Sequence, residues 1–219
     1  MGSIREEGEG DVEDRRRVIE RLLAAHEAWF DVQRNHQFAG RAFPGYAEFH
    51  STASQYVLVK RAKLWEASSH EYLFFCETPH LDEATWQDLL SFMTTEALAK
   101  VTLEPAHMSS YLSLVVVADK VDDGVVRSVR KAHFRKNFLF GLRGWVDLRV
   151  AVVDLGRGEI DTNTQGKPLR ETLAANAFAG GASVREKGES TAVATVLSTA
   201  SSEQDEAVAE ASAARASSR

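Results

Sequence analysis

Cysteine, proline and long apolar runs are all scarce in this sequence. Its 219 residues include one cysteine, Cys76, and four prolines. A single cysteine excludes an internal disulfide framework and a cysteine-based zinc finger, and it suits a reducing compartment. The longest apolar run, Leu114 to Ala118, is far shorter than the roughly 20 residues of a membrane-spanning helix. The first residues, MGSIREEGEG, carry acids where a signal peptide needs bases. We therefore expect a cytoplasmic protein that does not contact the membrane.

The scarcity of proline and the lack of any linker-like stretch predict one globular domain with two tails. We expect an acidic, disordered N-terminus over residues 1–11, a domain over 12–179, and a disordered tail over 180–219, where eighteen of forty residues are Ala or Ser. The net charge is −6. The first 14 residues carry −5 and the last 40 carry −2, which leaves +1 for residues 15–179. The domain itself is therefore nearly neutral.

Hydrophobic periodicity predicts nine elements in the order α-β-β-α-β-α-β-β-α. The predicted helices are 12–33, 81–101, 122–135 and 168–178, and the predicted strands are 56–65, 71–77, 111–118, 146–154 and 159–163. We expect a loop over 35–54, broken by Gly40, Pro44 and Gly45, and a hairpin connection over 67–70.

This order predicts an α/β fold, or an α+β fold, with a mixed five-stranded sheet and helices packed on it. Helices separate the strands 71–77, 111–118 and 146–154. Right-handed crossovers would make these three strands parallel, and the hairpins would add antiparallel partners.

The stretch RSVRKAHFRKNFLFGLRGW, residues 127–145, holds six Lys or Arg and no acid in its first seventeen residues. On a helical wheel it is amphipathic, with valines on one side and basic residues on the other. The candidate binding residues are Arg127, Arg130, Lys131, Phe134, Arg135 and Lys136.

Two interpretations of this basic stretch stay open. In the first, the cations have a structural role, because a helix C-terminus favours basic residues. In the second, they bind an anion or a protein partner while Phe134 offers a stacking face. Nucleic acid is possible but not favoured, because residues 15–179 carry a net charge of only +1 and contain no known reader motif.

Three carboxylates form a second candidate site. Glu77, Asp119 and Asp154 end the three strands that we expect to be parallel. Ligands of open α/β sheets bind at that edge, and carboxylates there can hold Mg²⁺ for phosphoryl transfer or hydrolysis. The alternative is that each acid simply caps a turn or a helix.

The sequence assigns no catalytic residue and no other cofactor. It contains no H-x-x-x-H, no G-x-S-x-G and no glycine-rich phosphate loop. The E-x-K spacing that a restriction-endonuclease-like fold would need on the second strand is also missing. A non-enzymatic binding domain is therefore the favoured hypothesis. The Mg²⁺-dependent enzyme is the second hypothesis. The third hypothesis is a homodimer or assembly domain with Trp145, Phe138 and Phe140 at the interface.

Three segments of the chain resemble an uncharacterised bacterial domain family of unknown function. They are SQYVLVKRAKLWEASSHEYLFF, HMSSYLSLVVVADKVDD and FGLRGWVDLRVAVVDLGRGEIDTNTQGKPL. The resemblance covers residues 46–172 and leaves out both tails. It implies no activity and no functional residues.

Overall fold

The computed structural model describes residues 7–57, 62–101, 107–138 and 144–178, all within one compact unit, Met1–Ala179. The tail predicted over 180–219 lies outside the described residues. The first helix begins at Glu7, inside the segment that we expected to be an acidic tail.

The described chain forms four α-helices, one 3₁₀ helix and seven strands. In chain order these are α1 Glu7–His26, β1 Asp31–Phe38, β2 Arg41–Val57, β3 Ala62–Leu81, α2 Glu83–Thr94, the 3₁₀ helix Ala97–Lys100, β4 His107–Val121, α3 Asp123–Lys131, β5 Arg135–Asn137, β6 Trp145–Asp154, β7 Glu159–Thr162 and α4 Leu169–Ala177.

All seven strands belong to one mixed sheet. Its order is β1-β2-β3-β4-β6, and both β5 and β7 pair with β6. The neighbours β3, β4 and β6 are parallel, which confirms the prediction from the intervening helices. The α/β class is confirmed, although the sheet has seven strands and not five.

Two strands occupy the segment that was predicted to be a loop. Residues 35–54 belong to β1 and β2, which pair antiparallel through the two-residue turn Ala39–Gly40. Both turn residues have positive φ, 49° and 76°, as a type I′ hairpin turn requires. The loop prediction was wrong because most β1 side chains are exposed and show no apolar alternation.

The predicted hairpin connection over 67–70 was also wrong. Those residues lie within β3, whose antiparallel partner is β2. The connection between β2 and β3 instead falls at residues 58–61, outside the described chain. The predicted strand 56–65 therefore falls on two strands, with 56–57 in β2 and 62–65 in β3.

Helices cover both faces of the sheet. On one face, α1 and α4 bury a cluster that includes Leu22, Leu73, Phe75, Val117 and Val153. On the other face, α2, the 3₁₀ helix and α3 cover a larger cluster, whose members include Phe74, Trp86, Met93, Leu114, Val129 and Val150. Each fully buried side chain of this kind contributes about 1.5–3 kcal/mol relative to leaving it exposed.

Three predicted helices end earlier than the sequence suggested, and one of them is α2, which ends at Thr94 and not at Val101. The helix α1 ends at His26, and Trp29, which falls inside the predicted helix 12–33, is 48% exposed in the following turn. The helix α3 ends at Lys131, so Arg135 and Lys136 lie in the short strand β5. Within the described part of the chain, none of the helices has the length and apolar character that a membrane crossing requires.

Candidate functional site

The cations of the basic stretch differ in their partners. Nη2 of Arg130 lies 2.6 Å from Oδ1 of Asp161, and Arg135 donates to both carboxylate oxygens of Asp147 at 2.7 and 2.6 Å. Both aspartates are buried. A buried carboxylate needs a cationic or hydrogen-bonded partner, so these two arginines stabilise β6 and β7. The ion pair raises the pKa of Arg135 through its hydrogen bonds to Asp147.

The other candidate residues of the stretch are one aromatic residue, Phe134, and three exposed cations. Phe134 is half-buried and packs against the core beneath α3, so it is not an open stacking face. Arg127, Lys131 and Lys136 are exposed, and Nζ of Lys136 lies 5.8 Å from the ring centre of Phe138. The residues that follow, 139–143, are outside the described chain, and they include one of the three aromatic residues of the predicted dimer interface.

The three strand-end carboxylates lie at one edge of the sheet but on two faces. Residues paired across neighbouring strands share a face. Asp154 pairs with Ala118, which belongs to the cluster beneath α2 and α3. Glu77 pairs with Val117 beneath α1, and Asp119, two residues further along β4, points to that same side. The parallel strands were predicted correctly, but the alternation of side chains separates the carboxylates.

Each of these carboxylates also has an arginine partner, and that of Glu77 is Arg16. Arg15 forms an ion pair with Asp119. Arg157 donates its backbone N–H to Oδ1 of Asp154 at 3.0 Å, and its Nε lies 3.6 Å from Oδ2. Among the described residues, no three His, Cys, Asp or Glu side chains are placed to hold a metal ion. The geometry therefore does not fit the Mg²⁺ hypothesis.

A gap opens in the sheet between β2 and β3. From Gly45 onwards β2 pairs with β3, but residues 41–43 pair with β1 alone. Beyond Phe75, β3 pairs with β4 alone. Pro44 lies where the strands separate, and it has no backbone N–H to donate to β3. Gly45 has no side chain, which lets Leu23 of α1 approach the strand closely.

This gap forms a pocket of about 660 Å³. Helix α1 borders it on one face of the sheet and α2 on the other. Its volume falls in the range of small-molecule sites. The lining residues are Arg16, Ile19, Glu20, Asn35, Gln37, Arg41, Ala42, Phe43, Pro44, Cys76, Glu77, Thr78, Thr85, Asp88, Leu89 and Val116.

Two acids of the pocket, Asp88 and Glu20, already form ion pairs with arginines. Arg41 donates to both oxygens of Asp88 at 2.7 and 2.9 Å, and these bonds hold the pKa of Asp88 below its ordinary value. Arg34 donates to Glu20 at 2.8 Å. Because these carboxylates already have bidentate or short contacts, they leave little capacity for a ligand.

Glu77 is different, because one of its oxygens lacks a partner. Its Oε1 lies 3.5 Å from Nε of Arg16, which is a loose contact. Its Oε2 is buried and accepts no hydrogen bond from any described residue. The Arg16 side chain is 71% exposed and the Glu77 side chain is 21% exposed. An unpaired buried carboxylate oxygen is costly, and it makes Glu77 the pocket acid with a buried acceptor that no described residue fills.

Cys76 lines the pocket as a thiol and not as a thiolate. Its side chain is buried, and burial raises its pKa to about 12. A protonated thiol is a weak nucleophile at neutral pH. Cys76 therefore contributes shape and apolar surface.

A cluster of four polar side chains lies on the face of β2 and β3 that α2 covers. Tyr46 donates to Oε2 of Glu48 at 2.5 Å, Oε1 of Glu48 lies 3.6 Å from Nε2 of His50, and Nδ1 of His50 lies 2.6 Å from Nδ1 of His70. Burial raises the pKa of Glu48, but the bonds from Tyr46 and His50 outweigh it and lower the pKa overall. The two imidazoles share one proton in this contact, because only one Nδ1 can donate.

Sequence reasoning found one member of the pocket and missed the others. Glu77 was singled out as a strand-end acid, but Arg16 was read only as a helix residue and Arg41 as part of a loop. The sequence feature that could have indicated the pocket is Pro44 with Gly45. We interpreted these residues as breaking a loop, but they mark the point where β2 and β3 separate.

Comparisons with known proteins give one finding. A family model described as a domain of unknown function matches residues 14–175. The searches of curated proteins and of solved structures returned no match.

Proposed function

The chain belongs to the DUF8052 family, whose description assigns no activity, and we propose that its domain binds a small molecule in the pocket between β2 and β3. The observation that carries this proposal is the buried Oε2 of Glu77, which has no partner among the described residues. The site acts as a binding module, in keeping with the hypothesis favoured from the sequence. We further propose a cytoplasmic location, because a single thiol suits a reducing compartment.

The pocket has the composition of a ligand site. Its accessible apolar side chains include Ala42, which is exposed, and Pro44, which is half-buried, while Glu77 supplies an acceptor. Small-molecule sites combine apolar surface with polar groups that orient the ligand. The separated strand edges add backbone groups on both sides of the gap.

Thermal unfolding with a panel of amines, carboxylates, amino acids and nucleosides tests this proposal. A compound that binds the native state at one hundred times its Kd should raise Tm by about 5–10 °C for a chain of this size. The effect should disappear in Glu77→Gln and persist in Glu159→Gln, a matched change at an exposed position. If no compound raises Tm, or if Glu77→Gln responds like the wild type, the proposal fails.

The exposed cations of α3 and β5 support a second candidate function, the binding of an anionic partner. Arg127 and Lys131 are one helical turn apart, and Lys136 follows in β5. Fluorescence anisotropy with a labelled oligonucleotide should show binding that weakens steeply with salt and is lost in Arg127→Glu with Lys131→Glu. Arg130 is left unchanged in this test, because its loss would leave the buried Asp161 without its arginine partner. Binding that ignores salt or survives the double change would count against this surface.

A further inference from the structure

Within the pocket, Glu77 and Arg16 present opposite charges to the same space. Resting on the proposed pocket function, we infer that the ligand is a zwitterion of the amino-acid class with an apolar side chain. Its ammonium group binds Glu77 and its carboxylate binds Arg16. The pocket lies between elements that are distant in sequence, since Arg16 belongs to α1 and Glu77 to the end of β3.

The ammonium end follows from the chemistry of Glu77. An ionised carboxylate only accepts hydrogen bonds, so its buried Oε2 needs a donor. A cationic donor is favoured, because charge-assisted hydrogen bonds are the stronger ones in a partly buried site. Arg16 does not fill this role, since it approaches the other oxygen, Oε1, at 3.5 Å.

The carboxylate end follows from the exposure of Arg16. Its guanidinium contacts Glu77 through Nε, while the side chain is 71% exposed at the pocket rim. The planar fork of the guanidinium matches a carboxylate in a bidentate geometry. The preceding residue differs, because Arg15 is buried and pairs with Asp119. Arg16 is therefore the pocket cation that is open to a ligand anion, whereas Arg41 is closed by Asp88.

A purely cationic ligand is the main competitor, since three acids line the pocket. Two of them, Glu20 and Asp88, are already neutralised by Arg34 and Arg41. The remaining charged groups are Arg16 and Glu77, whose contact is long at 3.5 Å. Apolar side chains such as Ala42 and Pro44 line the pocket beside them. An amine would satisfy Glu77 but would place its positive charge near Arg16, whereas a zwitterion satisfies both groups.

Three probes of the same shape separate these possibilities. L-leucine carries both charges, 3-methylbutylamine lacks the carboxylate, and 4-methylpentanoate lacks the ammonium. In calorimetric titrations of the full chain, leucine should bind about tenfold or more tightly than either analogue. Glu77→Gln should remove the advantage of leucine over 4-methylpentanoate, and Arg16→Gln should remove its advantage over the amine. Lys167→Gln, which removes an exposed cation in the segment before α4, should leave all three affinities unchanged.

The outcomes distinguish this inference from the proposed function. If the amine binds as tightly as leucine, or if another compound binds at Glu77 while leucine does not, the zwitterion assignment is wrong and the pocket function stands. If no probe and no panel compound depends on Glu77, both are wrong. Circular dichroism of each variant confirms folding, and Arg16→Gln provides an independent test because that side chain is exposed.

Discussion

At the scale of single residues, Asn163 holds β6 against the end of α3 through four side-chain hydrogen bonds. Its Oδ1 accepts from the backbone N–H groups of Val150 and Gly166 at 2.9 and 2.7 Å, and its Nδ2 donates to the carbonyls of Leu148 and Ala132 at 2.8 and 3.1 Å. The sequence placed Asn163 at the end of a strand but gave no sign of this role. Three of its four partners lie 13–31 positions away, beyond the reach of local patterns.

Replacing Asn163 by alanine should strongly destabilise the domain. The change leaves buried backbone groups without partners, which predicts a loss of about 3 kcal/mol in the free energy of unfolding. Asn176→Ala is the matched control, because that side chain donates to the Thr172 carbonyl within α4 and should cost less than about 1 kcal/mol. Urea unfolding of both variants measures the difference. Similar losses in the two would contradict the role of Asn163.

The stability of the domain should also fall with acid because of His26. Burial lowers the pKa of His26 below 6.5, against the opposing effects of its hydrogen bond to the Leu22 carbonyl and of Glu71. The folded state therefore favours the neutral ring, and the unfolded chain binds the proton more readily. The stability from this residue is complete above pH 6.5 and is lost as the pH falls through the folded pKa.

Unfolding at about pH 7.5 and about pH 5.5 checks this dependence. The wild type should lose more stability across that interval than His26→Gln, which cannot be protonated there. The exposed His133, changed in the same way, should keep the slope of the wild type. Equal slopes for all three proteins would mean that other groups cause the acid sensitivity.

At the scale of elements, the sequence correctly predicted the buried core strands and their parallel arrangement. The core strands β4 and β6 are rich in buried Val and Leu, and the helices between strands identified the parallel neighbours. It could not predict β1, whose side chains are mostly exposed and whose pairing depends on backbone hydrogen bonds to β2. The same limit hid the pocket, because a gap between two strands depends on register, which no local pattern carries.

The packing of α1 against β2 depends on the absence of a side chain at Gly45. A Cβ there would lie 2.6 and 2.7 Å from the two Cδ atoms of Leu23, which is fully buried. Gly45→Ala should therefore cost about 1–3 kcal/mol through overpacking. Gly124→Ala is the matched control, since nothing lies within 4 Å of its added Cβ, and it should be neutral or slightly stabilising. Equal effects of the two changes would show that α1 adjusts without strain.

At the scale of the whole molecule, the two core clusters account for both faces of the sheet. The buried members of the clusters all lie between Val18 and Ala177, within the unit Met1–Ala179. The family match ends at residue 175, close to the last of them. The composition of the sequence placed the domain boundary near the same point, because the content of Ala and Ser rises sharply after residue 180.

Removal of residues 180–219 should therefore leave the domain folded and its stability unchanged. The buried apolar side chains of the described residues lie within the first unit, so we expect the truncated chain to unfold cooperatively with Tm within about 2 °C of the full chain. The pocket is lined by residues between Arg16 and Val116, so the truncated chain should bind the same ligands with the same affinity. Calorimetric unfolding and titration of the two chains measure both properties. A large drop in Tm would show that the tail contributes to folding, and a loss of binding at unchanged Tm would show that it contributes to the site.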